Sequence, residues 1–373
     1  MTSEDGRLRL HYRVRFSEGE PADERARHIA YEQTVELPAA CVDRDLTEQI
    51  VGRVEKVERG GLDWARVTIS YNVAPLIDDA AQLWNVMFGN ISLLRGVLIE
   101  SIEWPQELAS KFGGPCFGIA GMRQLATVPE PRPLLCAALK PIGLRAEQLA
   151  EHAFQFASGG ADIIKDDHGL TNQPSAPFEQ RLHACLEATE RAAERTGRRA
   201  LYIPNITATP SELQRRLDLV RQAGGRAVML APFLTGLGTL EELRREGDLA
   251  ILVHPSASGS YFGLEHGFRP ELVLGDVMRL LGADASIYPN VGGRFPLDAR
   301  TCAAINDRLR EPFGDLLPAL PTPGGGIDVK LIAHWIGQYG ADTLMLIGGS
   351  LYLSGQISEA TASLRRAIDH AIR

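Results

Sequence analysis

From Leu134 onward the chain repeats one theme eight times: a short apolar run that ends in a polar residue, proline or glycine, then a stretch of helical composition. The runs are LLCAALKP from Leu134, ADIIKDD from Ala161, ALYIPNIT from Ala200, AVMLAPF from Ala227, LAILVHPS from Leu249, ASIYPN from Ala285, LPALPTPGGG from Leu317 and TLMLIGGS from Thr343. Runs this short and this apolar are strands covered on both faces, and such strands alternating with helices pair in parallel. Eight of them over roughly 240 residues predict a (β/α)8 TIM barrel. The intervening helices carry end signals. TPSELQRRLDLVRQAGG places Thr209 as a cap, Pro210 in the first turn and Gly224 at the end. An open doubly wound sheet is the alternative, but no G-x-G-x-x-G follows the first strand.

The first 115 residues follow another pattern. RLRLHYRVRF alternates Leu8, Leu10, Tyr12, Val14 and Phe16 against polar neighbours, a half-buried strand. ADERARHIAYEQT is helical. GRVEKVERGGLDWARVTISY reads as a hairpin turning around Gly60-Gly61. PLIDDAAQLWNVMFGN is helical, with Pro75 near its start and Gly89 near its end, and GVLIESIEWP is a strand stopped by Pro105. The order βαββαβ predicts a ferredoxin-like α+β domain. The chain therefore divides into residues 1–115, the α+β domain, and 116–373, the barrel.

Charge and cysteine content restrict the partners. The formal net charge of −8 argues against nucleic acid or an anionic membrane as the main partner. The five cysteines, Cys41, Cys116, Cys136, Cys185 and Cys302, are scattered with no Cys-x-x-Cys, which suits reduced thiols and a cytoplasmic location. No signal peptide and no membrane-spanning run are expected.

In a barrel of this class the active site sits at the C-terminal ends of the strands. Lys140, Lys165, Asp167, His168, Asn205 and His254 all fall there. So do Gly324, Gly325 and Gly326 after strand seven and Gly348 and Gly349 after strand eight, where barrels commonly bind phosphate. Taken singly, each has a structural explanation. A strand-end Lys–Asp pair can be a salt bridge, His254 before Pro255 can cap a loop, and glycines can serve tight turns. Several strands presenting such ends to one mouth favour a site. Two lysines there allow three chemistries: a Schiff base, a neutral amine acting as base, or a carbamate that supplies oxygen to a metal.

The motifs resemble those of the RuBisCO large-chain family. GGADIIKDDHGL is similar to the signature that closes strand two, LLCAALKPIGL to the strand-one lysine motif, MFGNISLLRGVLIESIEWP to the N-domain segment, and PTPGGGIDV and LIGGSLYLSG to the phosphate loops. Through this resemblance Lys165 corresponds to the lysine carbamylated to N6-carboxylysine, Asp167 to its metal-ligand partner and Lys140 to the base. His254 matches the strand-five histidine. Gly325, Gly326, Gly348 and Gly349 match the phosphate loops. Asn90 and Glu32 match residues given across a homodimer interface, so that two subunits share each site. One Mg2+ or Mn2+ per subunit is implied.

Departures from the pattern point to the non-carboxylating, RuBisCO-like branch. His168 stands where carboxylases carry the third, glutamate ligand, and imidazole is a poor partner for Mg2+. Pro255 replaces an arginine, Ile142 a lysine, and Arg294 the mobile-loop lysine that acts on the carboxylated intermediate; Gly324 replaces a serine. One phosphate site is retained and the other dismantled, which suits a small substrate with a single phosphate. The resemblance implies metal-dependent enolisation of a phosphorylated ketose, first as in 5-methylthioribulose-1-phosphate isomerases. Alternatives are decarboxylation of a phosphorylated branched keto sugar acid of the 3-oxo-isoapionate-4-phosphate type, a 2,3-diketo-5-methylthiopentyl-1-phosphate enolase, and a non-catalytic metabolite-binding protein.

Overall fold

A computed structural model describes residues 2–372 apart from 4, 18, 129, 296 and 354. The N-terminal unit runs β1 (Arg7–Arg15), α1 (Ala22–Glu32), β2 (Arg53–Arg59), β3 (Trp64–Asn72), α2 (Ala80–Phe88) and β4 (Val97–Pro105). Its four main strands are ordered β4-β1-β3-β2 with each of these pairs antiparallel, which is the ferredoxin-like arrangement, and the short strands Thr2–Ser3 and Gly267–Phe268 add to β4 in parallel. The alternation read in β1 puts Leu8, Leu10, Tyr12, Val14 and Phe16 into the core. Helix α2 starts later than its sequence suggests. Pro75 belongs to a separate turn, Val73–Leu76, after which Ile77 is extended. The helix then begins at Ala80, because the Asp79 carboxylate accepts the Gln82 N–H at 2.7 Å.

All eight expected barrel strands are present. They are β5 (Leu134–Leu139), β6 (Ile163–Asp166), β7 (Leu201–Ile203), β8 (Ala227–Leu230), β9 (Ala250–Val253), β10 (Ala285–Pro289), β11 (Leu320–Gly324) and β12 (Leu344–Ile347). They pair in parallel in the order β7-β6-β5-β12-β11-β10-β9-β8. The remaining seam, between β7 and β8, is bridged just past the end of β7. There the Ile206 N–H donates to the Met229 carbonyl at 3.0 Å, and the Met229 N–H to the Pro204 carbonyl at 2.8 Å. In the helix Pro210–Gln222, Thr209 occupies the cap position but its hydroxyl makes no capping bond; Pro210 simply removes one amide that needed a partner.

Side-chain parity decides what reaches the site. The barrel interior is filled by Leu134, Cys136 and Ala138 of β5, Ile163 of β6, Leu201 and Ile203 of β7, Ala250 and Leu252 of β9, and Leu344 and Leu346 of β12. Intervening residues such as Leu135, Ala137 and Ile164 face the helix layer. Successive side chains alternate across a strand. The next inward steps at the C-terminal ends are therefore Lys140, Lys165 and Asp167, Asn205, His254 and Gly348.

The two units pack through aromatic side chains. Trp84 and Phe88 of α2 lie on Phe268, with Trp84 stacked at 4.7 Å between ring centres. Trp104 of β4 donates its indole N–H to Asp276 at 3.1 Å. Each aromatic pair contributes about 0.5–1.5 kcal/mol beyond its buried area, so the units are fixed firmly together. Among the described residues, no helix is long and apolar enough to cross a membrane.

Candidate active site

Strand β6 divides its charges between two faces. Asp166 points out of the barrel and is fully buried. It pairs with Arg181 at 3.1 Å, accepts the Tyr202 hydroxyl at 2.8 Å and accepts the Asn205 N–H at 3.0 Å. Arg181 also donates to the carbonyls of Thr171 and Ala176, both at 2.8 Å. It thereby pins the loop that carries His168. A buried charge is tolerated only with such saturation, and losing one partner would cost about 3–5 kcal/mol. Asp166 is thus an anchor rather than a member of the site. One signal for its partner lies in the sequence: Arg181 interrupts the apolar stripe Phe178, Leu182, Cys185 of its helix.

The inward residues meet at the mouth. Lys140 Nζ lies 2.7 Å from Asp167 Oδ2, and His168 Nδ1 lies 3.4 Å from Asp167 Oδ1. The His168 ring stacks on His254 with centres 4.6 Å apart and planes 12° from parallel. Asn205 holds this strand end by donating to the His168 carbonyl at 2.8 Å. Lys165 is 1% exposed and donates from Nζ to the Asp166 carbonyl at 2.9 Å. Five of the residues expected from the sequence, Lys140, Lys165, Asp167, His168 and His254, therefore form one contiguous cluster.

Burial and neighbouring charge shape its electrostatics. Desolvation lowers the pKa of Lys165, and the nearby Lys140 charge adds to this while Asp167 opposes it. Burial would raise the Asp167 pKa, but its contact with His168 and the charges of Lys165 and Lys140 hold it well below the usual carboxylate range. Burial also drives the His254 pKa well down, helped by the charge of Lys165. His254 Nδ1 lies 3.2 Å from the Ser256 N–H, which donates to it. The neutral ring then carries its proton on Nε2.

The two glycine pairs differ. Gly325 and Gly326 have φ of +93° and +68°. A Cβ on Gly326 would meet the Val291 carbonyl oxygen at 2.9 Å. Backbone geometry alone accounts for both. Gly349 has no positive φ, and a Cβ there would meet nothing within 4 Å. Gly348 lies against the Lys140 side chain, its ideal Cβ 3.5 Å from Lys140 Cε. Neither φ nor crowding therefore requires glycine at 349, and the space beside its Cα is open.

The other expected residues lie apart. Arg294 is exposed in the loop after β10 and makes no hydrogen bond or ion pair among the described residues. Asn90 donates to Glu32 at 3.0 Å within the same chain, and neither hydrogen-bonds a cluster residue. As to metal, no three His, Cys, Asp or Glu side chains converge among the described residues. Asp167 and His168 offer two donors. The set fits a divalent cation only if Lys165 becomes an oxygen ligand, because an ammonium has no lone pair to offer and Mg2+ or Mn2+ favours oxygen over a neutral amine.

Comparison with known proteins agrees with this geometry. Residues 118–372 match the family profile of the ribulose bisphosphate carboxylase large chain, catalytic domain. Ribulose bisphosphate carboxylase-like protein 1 of Rhodopseudomonas palustris is 39% identical over 95% of this chain and 96% of its own length. A 5-methylthioribulose-1-phosphate isomerase of Rhodospirillum rubrum is 36% identical over 96% of this chain and 95% of its own. The crystal structure of a Rubisco-like protein from Rhodopseudomonas palustris superposes with a TM-score of 0.86 at 34% identity, covering 98% of both chains. The chain belongs to the RuBisCO large-chain family, on its non-carboxylating, RuBisCO-like branch.

Proposed function

We propose that this enzyme enolises a phosphorylated ketose and isomerises it, with 5-methylthioribulose 1-phosphate as the first candidate substrate. The observation that carries the reading is the placing of Lys140 between Asp167 and the open Gly348–Gly349 loop. A base and an anion cradle thereby flank one small volume. The name of the relative at 36% identity supports the choice of ketose.

In this reading the amides of Gly348 and Gly349 hold the phosphate. Lys140, as the free amine, removes a proton from the carbon beside the carbonyl and returns it to the neighbouring carbon. The Nε2–H of His254 donates to the oxygen on which charge develops. Asp167, His168 and carbamylated Lys165 would hold Mg2+ or Mn2+, which when bound polarises the carbonyl. Incubating the ketose phosphate with the metal-loaded enzyme in deuterated water should put deuterium into recovered substrate and product. Recovered substrate free of deuterium together with no isomerised product would sink the reading.

Gly349→Val isolates the phosphate contact, because the fold has room for the side chain. It should weaken inorganic phosphate and ketose phosphate by about 10-fold or more, the scale of losing charge-assisted bonds, with the melting temperature held. Unchanged affinity in a competition assay would place the phosphate elsewhere. We further propose that Asn90 and Glu32 serve the mouth of a second copy, making the homodimer the active unit. Sedimentation of a fully active monomer would refute that.

A further inference from the structure

Tyr352 links the glycine loop to Lys140, and neither composition nor spacing marks it. The pairing of β12 with β5 stops at Ile347–Ala137. Past that rung the Tyr352 hydroxyl takes over. It accepts the Lys140 N–H at 2.9 Å and donates to the Ala138 carbonyl at 2.9 Å. Its ring is held edge-on by His152 and Phe156, each with centres 5.4 Å away. Tyr352 closes the single 3-10 turn Gly349–Tyr352, whose first residue is the open glycine of the loop. Gly348, one step earlier, faces the aliphatic chain of Lys140: a Cβ built there would lie 3.5 Å from Lys140 Cε. The loop after β12 therefore holds the backbone of Lys140 and runs beside its side chain.

We infer that Tyr352 is a positioning residue through which a phosphate seated on Gly348–Gly349 fixes the backbone of Lys140, so that phosphate binding is expressed in the rate of proton removal. The inference rests on the enolisation reading above and adds the coupling to it. Binding energy from a remote phosphate raises kcat only if it orders the reacting groups. A tyrosine that bonds both the base's amide and the preceding strand carbonyl, at the end of the phosphate turn, is a rigid route for that ordering. The substrate class follows: phosphomonoesters whose phosphate reaches this loop while the acidic carbon faces Lys140.

The test is Tyr352→Phe, which keeps the ring contacts with His152 and Phe156 and removes only the hydroxyl. Deuterium exchange into the ketose phosphate should lose about 10- to 100-fold in kcat. KM and the inhibition constant of inorganic phosphate should stay within about twofold. With the dephosphorylated ketose, added inorganic phosphate should stimulate exchange by the wild type and not by the variant. An unchanged kcat, an inhibition constant that worsens in step with kcat, or equal stimulation of both proteins would overturn the coupling. Lys140→Ala, run alongside, separates the two levels. If it retains exchange, the enolisation reading falls and takes this one with it; if it loses exchange while Tyr352→Phe is normal, only the coupling falls.

Discussion

Preincubation with bicarbonate and Mg2+ or Mn2+ is expected to raise activity, and Lys165→Met to abolish it, by about 10³-fold or more, the scale of removing a preorganised electrostatic centre. The argument starts from burial. Lys165 is almost wholly enclosed and makes its hydrogen bond to a neutral carbonyl, that of Asp166. Desolvation favours its uncharged amine. A free amine attacks CO2: the N–C bond forms, one proton leaves to solvent, and the neutral amine becomes an anionic carbamate. Carbamate and Asp167 then stand together as two negative charges beside His168, an arrangement that asks for a cation. Methionine fills the lysine's volume without its nitrogen, so folding should survive and loss of activity can be read as chemistry. Full activity in chelator and CO2-free buffer would refute the carbamate. Lys165 would then be a buried strand-end lysine or a Schiff-base lysine, and borohydride trapping with the ketose separates those two.

The second large effect belongs to Lys140. Lys140→Ala should lose proton exchange by about 10³-fold, the middle of the range for a positioned acid–base group, while keeping its affinity for inorganic phosphate. The competing explanation is that Lys140 merely neutralises Asp167, 2.7 Å away. Lys140→Arg decides between them. Arginine keeps a cation beside the carboxylate but does not give up its proton, so it rescues an ion pair and not a base. Exchange that returns in the arginine variant would reduce Lys140 to a salt-bridge partner.

The barrel was legible because eight doubly covered strands have few ways to pair, and hydrophobic burial shows directly in the apolar runs. The inward cluster was legible for the same reason: the parity that fills the barrel with Leu134, Cys136 and Ala138 delivers Lys140 without further information. Resemblance of motifs added the roles. What could not be read depends on contacts between distant segments. Tyr352 acts on the backbone of a residue 212 positions earlier in the chain. Asp166 looks, in sequence, like one more acidic neighbour of Lys165, and only its pairing with Arg181 across the helix layer removes it from the site. Asn90 and Glu32 were each identified alone; that they bond each other requires the folded α+β unit. Thr209 shows the reverse error, a residue in the cap position that does not cap.

The division of β6 by parity has a consequence for redesign. Its anchor, Asp166 with Arg181 and Tyr202, sits behind the sheet, while Lys165, Asp167 and His168 face the substrate side. Stability and reactivity are therefore written in interleaved letters of the same word. A library that randomises 167 and 168 leaves every anchor bond untouched, so variants exploring other metals or other acid–base pairs can fold as the parent does. Inserting one residue anywhere in the strand would exchange the two sets of letters and cost both properties together.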